Sequence, residues 1–337
     1  MSEAVEPTSE DKILPFQLDL SDIRGRLTRL DKTLNDILSQ HSYPPLVEAL
    51  VAEATVITAL IGQTINLKWK LSLQIRGNGP IKLIATDYFA PSKNGELGTI
   101  RAFASFNEPN LDIGEKNPFE QLGKGYFAVL IDQGPDTEPY QGITPLTGGS
   151  LHKCAETYFA QSEQLATRFA LTIGKSQTKT KKISWQAAGL IIQKMPKKTE
   201  RGVVKKEGST NQLLASADLL QGQESENWSR VNFHIDTVEE LELMGPHISK
   251  IQLLNRLFHE ENPRVFEAQS IKFGCTCSAD KVRNTMSMYS SKDIETMTTA
   301  DGDVTADCQF CGAHLSLIHI SEPTRPRLIS YAVFCLK

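Results

Sequence analysis

The chain has 337 residues, 40% of them hydrophobic and 23% charged, with a formal net charge of -4. That length holds two or three domains and at least one sizeable core without crosslinks, and nothing in the composition favours disorder or a membrane span. The start, Met1 to Asp11, is acidic and polar and lacks the basic and then apolar pattern of a secretory signal, which predicts a cytoplasmic protein.

Residues 1–11 read as a loose, disordered arm. From Ser21 the apolar residues Ile23, Leu27, Leu30, Leu34 and Ile37 recur every three or four positions, predicting an amphipathic helix, and a second helix follows Pro44-Pro45. Leu67, Trp69, Leu71, Leu73 and Ile75 then alternate with Lys68, Lys70, Ser72, Gln74 and Arg76, a strand with one buried and one wet face. Gly77-Asn78-Gly79-Pro80 supplies a turn, and Ile81 to Ala85 returns. Further strands are predicted at Ile100 to Phe106, Tyr126 to Asp132, Phe169 to Ile173 and Gly189 to Gln193, with Ser150 as N-cap of a helix reaching about Gln164. Short-turn strand pairs with flanking helices indicate an α+β fold rather than a doubly wound parallel sheet.

Residues 175–211 carry ten Lys or Arg against two acids, and Pro196 to Asn211 has no apolar periodicity, so this part reads as a solvated basic loop rather than a nucleic-acid or acidic-client patch. The balance then reverses to nine acids against three bases over Gln212 to Glu261, where Ile248, Ile251, Leu254, Leu257 and Phe258 keep helical spacing. A helical acidic connector is predicted there, with an apolar face in need of a partner.

It leads to the most informative stretch. Cys275-Thr276-Cys277 and Cys308-Gln309-Phe310-Cys311-Gly312 are separated by 30 residues, and the remaining cysteines are Cys154 and Cys335. Two close pairs in a reducing compartment read as a metal or redox centre, and four soft thiolates are the tetrahedral donor set of zinc. Metal coordination holds a thiol as thiolate, the form that peroxide attacks, and an oxidised sulfur no longer ligates. On the residues alone a static zinc ribbon that staples the C-terminus is the favoured reading, because most such sites are structural. The 30 intervening residues hold six acids against three bases, a poor surface for phosphate contacts, so no nucleic-acid partner is expected. A capping box is predicted at Ser290 to Asp293 and a turn at Asp301-Gly302.

Cys154 shares a helical face with Leu151, Tyr158 and Phe159 and reads as a buried apolar residue. His314, three residues after Cys311, is surplus to a complete set of four cysteines. His259 has no second histidine four residues on and precedes the helix-ending Pro263, so it is not half of a metalloprotease site. Neither a Walker loop nor a Gly-x-Ser-x-Gly elbow is present, in keeping with a non-enzyme that does not use ATP.

The cysteine pattern resembles the signature of the redox-regulated heat-shock holdase family, chaperones of the 33 kDa chaperonin type. Other segments resemble the family in its order: Leu73-Gln74-Ile75-Arg76-Gly77-Asn78-Gly79-Pro80, Tyr140-Gln141-Gly142, Tyr158 to Leu165 and Leu257-Phe258-His259-Glu260-Glu261. The likeness runs from about residue 12 to 315. It implies an N-terminal substrate-binding α+β domain at 12–195, a basic loop at 196–211, a helical linker at 212–263 and a zinc-binding redox switch at 264–315. One Zn2+ per chain would sit on Cys275, Cys277, Cys308 and Cys311 in the reduced, inactive state. The resemblance further implies that oxidation forms the disulfides Cys275-Cys277 and Cys308-Cys311, zinc leaves, and the loosened linker exposes apolar surface. Unfolding client proteins are then held without ATP by a homodimer, with no membrane or nucleic acid involved. Readings as a thiol-disulfide oxidoreductase or a static zinc-ribbon interaction protein stand as alternatives. Candidate client surface lies around Trp69 and on the linker helices, where a core role fits the pattern equally well.

Three departures accompany the likeness. Ala166 stands where the family usually has proline, a harmless loop detail, and the basic stretch resembles an insertion. Residues 316–337 bear no likeness, and Ile318 to Pro326 resembles translated adapter sequence, so a non-native tail is expected in which Cys335 has no function.

Overall fold

The computed structural model describes residues 11–91, 97–177, 183–195, 216–299 and 304–317. The expected arm at 1–10, the loop at 196–211, the Asp301-Gly302 turn, and residues 318–337 with Cys335 lie outside the described residues.

The chain builds a large mixed sheet with a helical layer on each face. In order it forms β1 (Lys12–Leu18), β2 (Ile23–Leu30), α1 (Lys32–Leu38), α2 (Pro45–Thr64), β3 (Lys70–Gly77), β4 (Ile81–Phe89) and β5 (Gly98–Phe106). There follow β6 (Gly125–Asp132), β7 (Tyr140–Pro145), α3 (Leu151–Tyr158), β8 (Thr167–Gln177) and β9 (Ile183–Lys194). The linker supplies α4 (Ser216–Asp236), α5 (Glu240–Met244) and α6 (Lys250–Phe258), then come β10 (Pro263–Val265) and β11 (Gln269–Phe273). The cysteine module holds α7 (Ala279–Met286), α8 (Ser291–Met297), β12 (Val304–Asp307) and β13 (His314–Leu317).

The strand order is β7-β6-β3-β4-β5-β11-β1-β2-β9-β8, with β10 beside β1. The strand β11 is the seam between two half-sheets. It runs parallel to β5 through Ile271–Phe273 and antiparallel to β1 through only Gln269 and Ser270. Within 264–273, assigned from the sequence to the zinc module, Arg264 and Val265 of β10 and Gln269–Phe273 of β11 therefore contribute to the main sheet.

One face of the sheet packs on α2, whose proline at the first turn starts a run of Val, Leu, Ile and Ala that is buried almost all round. By length and mean hydropathy of 1.7 this helix is apolar enough to cross a membrane, yet 72% of it is buried inside the fold. The hydroxyls of Thr55, Thr58 and Thr64 donate to the carbonyls of Val51, Ala54 and Leu60 at 2.6–2.8 Å, so its polar groups are satisfied within the helix.

The other face carries a second core. Leu14, Phe16, Leu18, Ile23 and Leu27 of β1 and β2 meet Val231, Ile235, Leu243, Leu253, Leu254, Leu257 and Phe258 of the linker. The expected linker partner is thus the sheet itself. Arg29 reinforces it, donating to the carbonyls of Glu242, Leu243 and Ile248 at 2.7–2.8 Å around the end of α5. Glu261, 1% exposed, accepts from Ser21 and from Arg230 of α4, tying the end of α6 to the β1–β2 turn.

The first predicted helix is corrected. Ile23, Leu27 and Leu30 lie on β2 and only Leu34 and Ile37 on a helix, α1. The spacing imitates a helix because β2 is buried on both faces, Ile23 and Leu27 toward the linker and Leu30 toward α2. Asp11, placed in the loose arm, is 5% exposed, and its carboxylate accepts from the backbone N–H groups of Asp31 and Thr33. Leu67 and Trp69 precede β3 rather than lie in it, and Ser72, expected wet, is buried and donates to Asp87 at 2.5 Å. Ile251 is 51% exposed and Leu253 takes its place in the linker core.

Other expectations hold. The Gly77 to Pro80 turn joins β3 to β4, and at Gly79 a Cβ would lie 2.4 Å from the Gln121 carbonyl, so only glycine fits. Ser150 caps α3, which passes through a wide turn at Phe159–Glu163 and stops at Gln164 in the left-handed region. Ser290 receives the Asp293 N–H at 3.3 Å as the capping pattern requires.

Candidate metal centre

The strand β11 delivers the first pair. Gly274 donates its N–H to the Ile100 carbonyl of β5 at 3.1 Å, and the chain then leaves the sheet through Cys275-Thr276-Cys277. Ser278 caps α7, and Lys281 one turn on donates to the Thr276 carbonyl at 2.5 Å, fixing the segment between the two sulfurs. The second pair sits on the tight turn between β12 and β13. There Gly312 N–H donates to the Cys308 carbonyl at 2.8 Å, and its φ of +64° requires glycine.

These two backbones bring all four sulfurs within 4.8 Å of one another, the one group of this kind among the described residues that could hold a metal ion. The Sγ atoms of Cys275 and Cys308 are 3.6 Å apart and those of Cys277 and Cys311 3.4 Å. A tetrahedral zinc tetrathiolate places its sulfurs about 3.8 Å apart, from Zn–S bonds of about 2.3 Å, so the donor set fits a soft cation. Donation from the Cys308 thiol, against opposing desolvation, holds Cys275 down at about 4, and Cys308, as donor, is pushed up. Burial pushes Cys277 up to about 11. Cys308 is 4% exposed and the other three are half-buried.

The surroundings come from the sheet as much as from the module. Arg101 of β5 donates to Cys275 Sγ at 3.5 Å and to Thr276 Oγ1 at 3.4 Å, while Asp87 of β4 accepts from it at 2.7 and 2.9 Å. Phe310, inside the second pair, lies with its ring 3.9 Å from that guanidinium and edge-on to Phe103 at 4.8 Å. Sequence reasoning missed Arg101, Asp87 and Phe103. The one available signal was an aromatic residue, Phe310, between the paired Cys308 and Cys311.

The module's own core is small, with Val282, Met286, Val304 and Ala306 buried. Its β-pair runs on to Leu317, two residues past the expected end of the module. His314 lies outside the cluster and pairs with Asp307 at 2.8 Å, and His259 is exposed near Glu260. Cys154 is fully buried, donates to the Thr147 carbonyl at 3.1 Å, and is pushed up to about 11 by desolvation. Its thiol therefore stays protonated below that pH. Native protein treated with iodoacetamide at about pH 8 is expected to keep Cys154 unmodified while chelator-exposed cluster cysteines react, as read by peptide mass mapping.

Comparison with known proteins bears on this geometry. Residues 11–317 match the family model described as Hsp33 protein. The chain is 32% identical over 306 residues to the 33 kDa chaperonin of Caulobacter vibrioides, covering 90% of this chain and 93% of that relative. It is 29% identical over 305 residues to the 33 kDa chaperonin of Methylobacillus flagellatus, with 90% of each covered. The crystal structure of the 33 kDa chaperonin (heat shock protein 33 homolog) from Thermotoga maritima superposes with a TM-score of 0.70 at 21% identity, covering 92% of this chain and 95% of that one.

Proposed function

The chain belongs to the Hsp33 family of chaperones, and from that premise we propose that it is a redox-regulated, ATP-independent holdase of the cytoplasm. In its reduced state Cys275, Cys277, Cys308 and Cys311 would hold one Zn2+. It would bind unfolding proteins as a homodimer once oxidised, without enzymatic activity and without nucleic acid or membrane as partner. The observation that carries the reading is the position of the linker. It covers an apolar sheet face built from Leu14, Phe16, Leu18, Ile23 and Leu27, and β10 and β11 chain it directly to the sulfur cluster.

Cys275, Cys277, Cys308 and Cys311 would hold the cation, which would supply the charge that keeps four adjacent sulfurs as thiolates. Peroxide converts one thiolate to a sulfenic acid with release of hydroxide. A neighbouring thiolate displaces the second oxygen, so two thiols and one hydrogen peroxide yield a disulfide and two waters. A disulfide sulfur is a poor ligand, and a module with so small a core does not hold its shape without the metal. We assign the pairing to Cys275-Cys277 and Cys308-Cys311, following the family likeness. Close sulfur contacts also run crosswise, 3.6 Å between Cys275 and Cys308 and 3.4 Å between Cys277 and Cys311, so peptide mapping of the oxidised protein decides between the two patterns.

A thiol-disulfide oxidoreductase reading is disfavoured by the setting of Cys308 and Cys311, a turn between two strands rather than the N-terminus of a helix where a thiolate is activated.

The test is to add peroxide to the zinc-loaded, reduced protein at mildly elevated temperature, following zinc with a colorimetric chelator and citrate synthase aggregation in parallel. Release of about one zinc per chain with newly gained suppression of aggregation is expected. Suppression that is equal before and after oxidation would refute the switch and leave a static zinc module.

A further inference from the structure

The cysteine centre and the sheet meet at one side chain. Arg101 is 14% exposed and stands on β5 with its partner Asp87, 9% exposed, across the ladder on β4. Asp87 Oδ2 accepts from Nε and Nη2 of Arg101, and the other carboxylate oxygen accepts from Ser72 of β3, so the carboxylate is committed to the sheet on both sides. The remaining arm, Nη1, faces the first cysteine pair through Cys275 Sγ and Thr276 Oγ1. The flat face of the guanidinium meets Phe310, which belongs to the second pair. The Arg101 guanidinium thus contacts both halves of the centre, which are also joined through their sulfurs and through the small core of the module.

We infer that Arg101 is the positioning residue that docks the sulfur centre onto the sheet and sets how tightly the reduced centre holds its cation, a role that rests on the redox-switch reading above. A tetrathiolate around a divalent cation carries a net charge of -2. An N–H donor of fixed positive charge beside one sulfur spreads that charge, steadies the sulfur as a ligand and makes it a weaker nucleophile toward peroxide. The stack on Phe310 holds the other half of the centre over the same group.

Oxidation then removes the reason for docking. Two thiolates become a neutral disulfide, which accepts the Arg101 donor only weakly, while Asp87 keeps the guanidinium paired within the sheet. The module is released without leaving an uncompensated buried charge in the sheet, which would itself cost stability. A lone arginine could dock the centre, but only the Asp87–Arg101 pair lets it undock cleanly.

The experiment compares the full-length protein with Arg101→Lys and with the paired variant Asp87→Asn/Arg101→Met, which removes both charges together. Zinc affinity is measured by chelator competition, and the rate of peroxide-driven zinc release under the same conditions. Loss of an outer partner of this kind lowers metal affinity about 10–100-fold. The paired variant is expected to fall in that range and to release zinc correspondingly faster. Arg101→Lys, which keeps the charge but loses the fork and the stack, is expected in between. Thermal melting of the metal-free proteins shows whether the sheet is intact, and if the paired variant does not fold, Arg101→Lys alone decides. Unchanged affinity and unchanged release rate in Arg101→Lys and the paired variant would overturn the role. The redox-switch reading fails on a different result, a wild-type protein whose aggregation suppression ignores peroxide, and in that case the affinity ratio between wild type and variants still reports on Arg101.

Discussion

Replacing Phe258 by alanine is expected to lift the linker from the sheet and give client binding without any oxidant. Phe258 is fully buried and stacks on Phe16 of β1 with ring centroids 5.8 Å apart. The Phe16 ring in turn lies across Gly25 of β2, where a Cβ would be 2.2 Å from the ring edge. The contact is therefore built from three elements, the linker helix and the paired strands β1 and β2. A buried Phe→Ala change costs about 3–5 kcal/mol, because the cavity it leaves collapses only in part. That shifts the docking equilibrium by roughly two to three and a half orders of magnitude. The loss falls on docking rather than on the sheet, since the larger core around α2 does not include Phe258. Hydrogen exchange should accelerate in the amides of α6 and α5 while those of β3 to β6 keep their protection, and citrate synthase aggregation should be suppressed by the reduced protein. Fast exchange in the linker with no gain in suppression would mean that the surface under the linker is not where clients bind.

That surface illustrates what can and cannot be read from a sequence. The apolar periodicity of Leu254, Leu257 and Phe258 announced a helix in need of a partner. The partner was hidden because β1 and β2 carry apolar residues for two cores at once. In β1, Ile13 faces α2, while Leu14, Phe16 and Leu18 face the linker. With both faces buried, the alternation that marks an ordinary antiparallel strand disappears, and in β2 the surviving pattern of three and four looked helical. The strand β3 was legible from its polar alternation, although Ser72 on its polar face is buried. The gathering of the four cysteines was legible as well, since two close pairs point to a common site. Arg101 and Asp87 were not, because each occupies an unremarkable position on a strand and their meaning comes from a register that pairs β4 with β5 and a seam that places β11 beside β5. Trp69, raised as client surface or core, proved to be 43% exposed at the entrance to β3, whereas Leu71, Leu73 and Ile75 on the strand belong to the core.

The largest effect is expected from Cys308→Ser. Cys308 is the most buried of the four and lies 3.6 Å from Cys275, across the two halves of the centre. A serine hydroxyl is a hard, protonated donor where a soft thiolate is needed, so metal-linked folding energy of about 10–16 kcal/mol is largely lost. Val282, Met286, Val304 and Ala306 cannot order the module by themselves. Zinc content should fall from about one per chain to near zero, and amides from α7 to β13 should exchange at the rate of an open chain. The sheet from β1 to β9 should stay protected, because the buried residues of its cores end at Ile271. What happens between these regions is the deciding observation. The seam strand β11 is held by two residue pairs to β1 and three to β5, and its last residues lead straight into Cys275. Without the centre to anchor that end, β11 frays, β10 loses its continuation, and α6 is tethered at one end only. Faster exchange in α6 together with β11 would show that the metal centre controls the covered apolar face through this seam. A module that opens while α6 stays protected would break the coupling, and metal loss alone would then be insufficient to uncover the sheet.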